Sequence, residues 1–298
     1  MFNQRISKFM FISTFLLVCF NLSFAVIKGS AVRRDLGKPA TDLEAKLILY
    51  KDQYLLREPI WIKITVTNKG EDEGWFYFAR VTGFKIKDSK GEVYPCHVSF
   101  STSGATVIKP GETLEDETNL LLWYGLPENK FNFRRYLPPG EYTIYHQLNE
   151  NIKSKVRHFE IVQPKSDELK AMKLLKDSYN LVIEKKTNDA IDKLHQLITK
   201  FPQSVYAPHA LWEMAGKYRI FIKDIQKTKE TYHKLVDNYP HSREAIDALS
   251  DLVNSYIAQK DQASCVSYLN NLIEKHPNKD IAREAEKQLE KIKEKEFK

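Results

Sequence analysis

Three pairs of an aromatic residue or histidine followed by proline recur at nearly constant spacing in the last third of the chain. From residue 168 onward the apolar residues follow a helical period, and Gly216 is the single glycine. A fixed period of this length in helical sequence is typical of a repeat array, in which each helix pair buries its apolar face by stacking on the next. The pairs are Phe201-Pro202, Tyr239-Pro240 and His276-Pro277, at intervals of 38 and 37 residues.

Small residues keep the same register as the prolines. Alanine stands five and again eight residues after each proline, and a small residue stands twelve residues before it. Because small side chains let two helices approach closely, these positions predict the contacts between neighbouring helices. They are Ala207, Ala245 and Ala282, then Ala210, Ala248 and Ala285, then Ala190, Thr228 and Cys265.

The middle repeat resembles the tetratricopeptide family. Trp212, Ala215, Gly216, Tyr232 and Pro240 fall where that family has its Trp, Leu, Gly, Phe and Pro. The chain departs from the family in its period, which is longer than the usual length of about 34 residues. The resemblance implies a tetratricopeptide-like α-solenoid of about three helix pairs and a final capping helix over residues 168–298.

The same resemblance implies binding of other proteins rather than catalysis. Aromatic side chains of the array either pack between helices or contact a partner, and the candidates for partner contact are Trp212, Tyr218 and Tyr232. Tyr218 stands one residue earlier than the tyrosine of the family. The positions with an expected structural role are Gly216, Pro202, Pro240 and Pro277.

The first half of the chain alternates like β-strands. Apolar and polar residues alternate from 60 to 67, and Asn-Lys-Gly at 68–70 ends the run with turn-forming residues. Several short strands separated by such turns predict a β-sandwich over residues 42–163. Further strands are expected at 43–50, 75–79, 84–87, 93–100, 113–123, 141–148 and 156–162.

A tyrosine after a tight turn sharpens the prediction of a sandwich. Pro138-Pro139-Gly140-Glu141 leads into Tyr142, where immunoglobulin-type sandwiches place a tyrosine whose hydroxyl binds the incoming connection. The region therefore resembles bacterial extracytoplasmic immunoglobulin-like domains. It also resembles small proteinase-inhibitor-like sandwiches, although it contains no inhibitory loop motif. Trp123 and Tyr124 form an aromatic pair at a strand end and are further candidate partner contacts.

The N-terminus reads as a secretory signal peptide at 1–25. Basic Arg5 and Lys8 precede an apolar stretch at 9–20, and Ser23-Phe24-Ala25 offers small residues at a cleavage site. The stretch is shorter than the roughly 20 residues of a membrane span, so cleavage is favoured over an anchor. A flexible lead-in at 26–41 and a short linker at 164–167 complete the expected organisation.

Charge and cysteine content exclude several classes of function. Residues 166–298 have 23 Lys and Arg against 21 Asp and Glu, in alternating signs, which is typical of solvated helices rather than nucleic-acid binding. Cys96 and Cys265 are expected to be free thiols, with a disulfide between domains as the alternative.

No metal, cofactor or catalytic motif is recognisable in the sequence. The interpretation is a non-catalytic secreted or periplasmic adaptor that binds proteins of the cell envelope, without an integral span after cleavage. The alternative is a proteinase-inhibitor-like or ligand-binding sandwich with the helices as a docking handle.

Overall fold

The computed structural model describes residues 38–77, 82–97, 105–127 and 135–296. The predicted signal peptide and most of the predicted lead-in therefore lie outside the described residues. The strands are β1 (Leu43–Leu49), β2 (Gln53–Leu55), β3 (Trp61–Asn68), β4 (Gly74–Tyr77), β5 (Phe84–Asp88), β6 (Val93–Tyr94), β7 (Ala105–Ile108), β8 (Thr113–Asn119), β9 (Leu126–Pro127), β10 (Arg135–Tyr136), β11 (Gly140–His146) and β12 (Arg157–Val162). The helices are α1 (Ser166–Ile183), α2 (Thr187–Lys200), α3 (Ala207–Lys217), α4 (Ile225–Asn238), α5 (Arg243–Ala258), α6 (Gln262–Lys275) and α7 (Asp280–Glu296).

The strands form two larger sheets and two short ribbons. One sheet has the antiparallel order β1-β3-β8, and the other has the order β2-β12-β11-β5-β6, in which β2 runs parallel to β12. The ribbons are β4-β7 and β9-β10. The strand-rich first half that the alternation predicts is therefore confirmed.

Strand β3 lies at the centre of its sheet and shows why the alternating pattern folds this way. Ile62, Ile64 and Val66 are at most 1% exposed, whereas Lys63 and Thr67 are half-buried on the other face. Burying one row of β-branched residues specifies the register, because a slip by one residue would move the whole row to the opposite face.

The predicted strand at 113–123 ends earlier than the sequence suggested. Strand β8 stops at Asn119, whose side-chain Oδ1 accepts hydrogen bonds from the backbone nitrogens of Leu121 and Ile60. A 3-10 turn follows at Leu120–Leu122. The sequence also missed the short strands β2, β7, β9 and β10, and residues 98–100 of another predicted strand lie outside the described residues.

Tyr142 makes the hydrogen bond that its position predicted. Its hydroxyl donates to the carbonyl oxygen of Pro138 at 2.7 Å, and its ring stacks on Phe159 with centroids 5.3 Å apart. The bond fixes the turn before β11 onto the sheet.

The repeated prolines lie two residues after the last residues of α2, α4 and α6. In each case the residue before proline has nearly the same backbone conformation, with φ between −132° and −128° and ψ between 49° and 56°. Proline disfavours the helical conformation in the residue that precedes it, so the helix ends there. The array of seven helices in the described residues confirms the predicted helical repeat region.

A second repeated signal marks the turn inside each helix pair. Lys185, Lys223 and Lys260 have left-handed backbones, with φ of 60°, 61° and 58°, and they share the 38- and 37-residue spacing. The side chains of Asp224 and Asp261 then cap α4 and α6 by accepting hydrogen bonds from backbone N–H groups. The sequence pattern gave no sign that these lysines mark the turns.

The two intervals differ by one residue, and the structure places the extra residue in the middle repeat. Helix α3 continues into a π-helical turn at Tyr218–Ile222. A π-turn accommodates one more residue than an α-turn, so helix pairs of 38 and 37 residues stack in one register.

The small positions lie at the helix contacts, as predicted. Gly216 differs, because a Cβ atom built there meets no atom within 4 Å, and close packing does not require glycine at this position. The repeated small residues are all at most 3% exposed: Ala190, Ala207, Ala210, Thr228, Ala245, Ala248, Cys265, Ala282 and Ala285.

Candidate functional site

The strand-rich region packs directly on the helical array, and Lys38–Lys298 forms one compact unit. The Tyr206 hydroxyl, just before α3, donates to the Leu56 carbonyl oxygen at 2.7 Å in a buried hydrogen bond. Trp61, at the start of β3, donates from Nε1 to Glu244 Oε1 in α5 at 3.3 Å. These bonds fix one end of the sheets against the first helices of the pairs.

Helices α1, α3 and α5 each begin a helix pair, and α7 follows as the last helix. We call the surface that these four helices share the first-helix face. On α3 this face has three polar residues four positions apart, His209, Glu213 and Lys217, each at most 6% exposed. Lys217 Nζ donates to Glu213 Oε2 at 2.8 Å, and His209 Nε2 lies 3.1 Å from the Tyr179 hydroxyl. Such burial shows that this part of the first-helix face is covered and not open to solvent.

Glu244 lies at the centre of the contact between sheet and array. Its side chain accepts from Trp61 and lies 3.7 Å from His209 Nδ1. Desolvation by burial raises the pKa of Glu244 to about 7, against the opposing effects of its own backbone N–H and of Trp61. The interface therefore holds a carboxyl group that exchanges its proton near neutral pH.

The same interface contains a small, partly open cavity of about 20 Å³. A cavity of this size has room for about one water molecule. Polar groups reach it from both sides, namely Arg57, Asn119 and Arg135 from the strand-rich region and Tyr179 and His209 from the helices.

Beyond the covered part, the first-helix face is more open. Trp212 Nε1 donates to Asp247 Oδ2 at 3.1 Å, and Arg219 Nη1 donates to Asp251 Oδ2 at 2.8 Å, so α3 and α5 are joined by polar contacts. Asp247 keeps part of its surface exposed, while the protein packed around its carboxyl partly desolvates it and raises its pKa to about 6, with Asp251 adding to the shift. Glu117 of β8 adds further negative charge beside Asp247.

The structure divides the predicted partner contacts into two groups. Tyr124 and Tyr232 are at most 1% exposed, and their hydroxyls donate to Phe84 O and Asp251 Oδ2. Both rings are packed in the interior, so they are not available for the partner contacts that the sequence predicted.

The other three predicted contacts keep part of their surface exposed. Trp212, Tyr218 and Trp123 are half-buried. Trp123 Nε1 donates to Thr118 Oγ1 at 2.9 Å, and Lys227 Nζ lies 5.5 Å from the centroid of the Tyr218 ring. Of these three residues, Trp212 lies in the open part of the first-helix face, beside Asp247.

Sequence reasoning missed an apolar turn in the middle repeat. Phe221, Ile222 and Ile225 are 44%, 40% and 62% exposed, at the π-turn and at the start of α4. The one-residue difference between the proline intervals was the signal that could have located this turn.

Cys96 is half-buried and Cys265 is buried, and both are free thiols. Within the described residues no group of three or more His, Cys, Asp or Glu side chains could hold a metal ion. In that same part of the chain, no helix has both the length and the apolar character that crossing a bilayer requires.

Comparison with known families identifies tetratricopeptide repeats in the helical array. The family pattern matches residues 210–242 and 244–279, which contain the second and third helix pairs. No curated protein matches the chain.

Three of the solved structures that the chain resembles are distant likenesses. The N-terminal domain of stress-induced protein-1 (STI-1) from C. elegans is 13% identical over 42% of this chain and 98% of that chain, with a TM-score of 0.32. The β-glucosidase EmGH1 from Erythrobacter marinus is 16% identical over 41% of this chain and 16% of that chain, with a TM-score of 0.29. The DNA glycosylase AlkC from Pseudomonas fluorescens is 14% identical over 41% of this chain and 30% of that chain, with a TM-score of 0.28. Scores this low support no inference about function.

Proposed function

We propose that this protein is a non-catalytic adaptor that binds other proteins through its tetratricopeptide array. The observation that supports this most is the family match at residues 210–279, which coincides with stacked helix pairs in a common register. Stacked repeats present extended surfaces suited to binding a partner.

The strand-rich region narrows the surface that is available to a partner. It covers the first-helix face around His209, so a partner meets the open part around Trp212 and Asp247. Asp251 and Glu117 are paired with Arg219 and Arg243, so Asp247 is the carboxylate of that part that favours a partner segment with lysine or arginine.

We further propose an immunoglobulin-like arrangement for the strand-rich region. The sheet order β1-β3-β8 opposite β2-β12-β11-β5-β6 supports it, with β2 parallel to the last strand. The hydrogen bond from Tyr142 to the Pro138 carbonyl supports it as well. In this proposal the region is a scaffold that holds the array and shapes its open face.

Capture of partners from envelope extract of the source organism, with the mature protein immobilised, tests the adaptor function. Asp247→Lys reverses one charge on the open face, and Asp192→Lys makes the same change on an exposed position of α2. We expect specific partners to be lost with the first variant and kept with the second. Equal capture by both variants, or enrichment of no protein, contradicts the proposal.

The proposed location in the periplasm or outside the cell rests on the sequence of residues 1–25. Expression of the full chain in a bacterial host, followed by mass spectrometry of the exported fraction, tests it. We expect a mature N-terminus at Val26. An uncleaved chain that remains in the cytosol contradicts this part of the proposal.

A further inference from the structure

The turn inside the middle helix pair forms an apolar projection, which we call the middle-repeat tip. It consists of Phe221, Ile222, Lys223 and Ile225, all of them exposed. Exposed apolar side chains that stand singly need no explanation, whereas these three lie within five residues and make a local apolar patch.

The other two helix pairs do not share this surface. At the positions of Phe221, Ile222 and Ile225, the first pair has Ile183, Glu184 and Thr187, and the third pair has Ala258, Gln259 and Gln262. The lysine between them recurs in all three pairs with the same left-handed backbone. The fold of the turn therefore does not require the apolar residues of the middle pair.

The extra residue of the middle pair lies in the same place. Its π-turn at Tyr218–Ile222 ends at Lys223, so the apolar residues stand at the outer end of α3. Because π-turns of this kind often occur at functional sites, an insertion that coincides with exposed apolar side chains points to a binding role.

Lysines outnumber carboxylates at the tip, where Lys223 and Lys227 flank Asp224. Lys223 and Lys227 are exposed, and among the described residues no carboxylate forms an ion pair with either of them. The nearest acidic residue in sequence, Asp224, uses its carboxylate to accept from the Lys227 backbone nitrogen at 2.8 Å. An apolar projection with lysines at its base is complementary to a surface that is anionic outside and apolar inside.

We propose that the middle-repeat tip inserts into the headgroup region of an anionic lipid bilayer. Apolar side chains would enter the boundary of the acyl chains while the lysine ammonium groups remain among the phosphates. A convex turn suits insertion, whereas a bound peptide needs a groove. Pairing with a second copy of the tip would bring Lys223 and Lys227 close to their own counterparts, which like charges oppose.

Such insertion is weak and reversible. Three side chains and two lysines supply less than the two strong signals that stable anchoring requires. Binding is therefore expected at millimolar lipid, and it decreases as salt screens the lysines.

Co-sedimentation of the full mature chain with vesicles tests the proposal. We expect binding to vesicles of phosphatidylglycerol and phosphatidylcholine, and several-fold less to pure phosphatidylcholine or at 0.5 M salt, which is roughly three times physiological ionic strength. The triple variant Phe221→Ala, Ile222→Gln, Ile225→Gln gives the tip the residues of the third pair, so it is expected to fold. We expect it to lose binding at least fivefold.

The matched control is the double variant Val93→Gln, Val156→Gln, which removes valines of similar exposure, 55% and 49%, from the strand-rich region. It is expected to bind vesicles like the unmodified chain. Circular dichroism shows that each variant retains its helices. Failure of the unmodified chain to bind at millimolar lipid overturns the proposal, and so does equal binding by the triple variant. A triple variant that loses a protein partner instead of vesicle binding also overturns it, because the tip is then a protein contact.

Discussion

Replacing Glu244 by glutamine should stabilise the protein at alkaline pH and leave it nearly unchanged at acidic pH. Glu244 is 6% exposed at the contact between β3 and α5, and burial raises its pKa from 4.5 to about 7. The folded protein therefore holds this proton more tightly than the unfolded chain does. Glutamine keeps the oxygen that accepts from Trp61 and removes the ionisable group.

The sign and size of the effect follow from the two pKa values. Because the folded pKa lies above the unfolded one, the contribution of Glu244 to stability is fully present below pH 4.5. It is lost as the pH rises through about 7. One pKa unit corresponds to about 1.36 kcal/mol, so the loss amounts to about 3 kcal/mol at pH 8. Glutamine cannot ionise, so the variant does not lose this stability. At pH 8 we expect its free energy of unfolding to exceed that of the unmodified chain by up to about 3 kcal/mol.

Urea unfolding followed by circular dichroism between pH 5 and pH 8, at constant ionic strength, measures the difference. Glu286→Gln on the exposed side of α7 is the matched control, because it changes the net charge equally without touching the interface. The control should show no pH-dependent difference. A Glu244→Gln variant that is destabilised equally at both pH values would refute the reasoning, since Glu244 would then stabilise the fold as an ionised group.

Substitutions at three further positions test other parts of the fold, each by urea unfolding. Tyr206→Phe should cost about 1–3 kcal/mol, because it leaves the buried Leu56 carbonyl oxygen without its donor; no loss would show that water replaces the hydroxyl. Lys260→Gly should stabilise by up to about 1 kcal/mol, because glycine adopts the φ of 58° without strain, whereas Lys260→Val should destabilise. Gly125→Ala should destabilise by more than about 1 kcal/mol, because φ is 108° and the new Cβ would lie 2.6 Å from the Tyr136 carbonyl oxygen; an unchanged midpoint would contradict that geometry.

The features that sequence predicted are those encoded locally. Alternation over a few residues located β3, and the register of prolines and small residues located the helix contacts, because each depends on neighbours within one repeat. Tyr142 is a similar case, since its partner Pro138 is four residues away. The lysines with left-handed backbones escaped notice because lysine is not a residue from which a positive φ is expected.

The contact between the sheet and the helical array could not be predicted from local sequence patterns. Tyr206 and Leu56 are 150 residues apart, and Trp61 and Glu244 are 183 residues apart. No periodic pattern connects such positions. The partner contacts predicted at Tyr124 and Tyr232 failed for the same reason, because an aromatic side chain gives no local sign of whether it packs inside or faces solvent.

The polar residues of α3 show most clearly how tertiary packing reverses a local interpretation. His209, Glu213 and Lys217 stand on one side of the helix, and such a row normally indicates a face in contact with water. The row is buried: the strand-rich region covers His209, and hydrogen bonds and an ion pair within the helices replace the solvent lost by all three side chains. Separating the two halves of the chain would expose His209 together with the apolar surface of Pro59, Leu121 and Leu122 beside it. The strand-rich region and the array therefore stabilise each other, and what a partner can reach on the array is determined by the sheet that already occupies part of it.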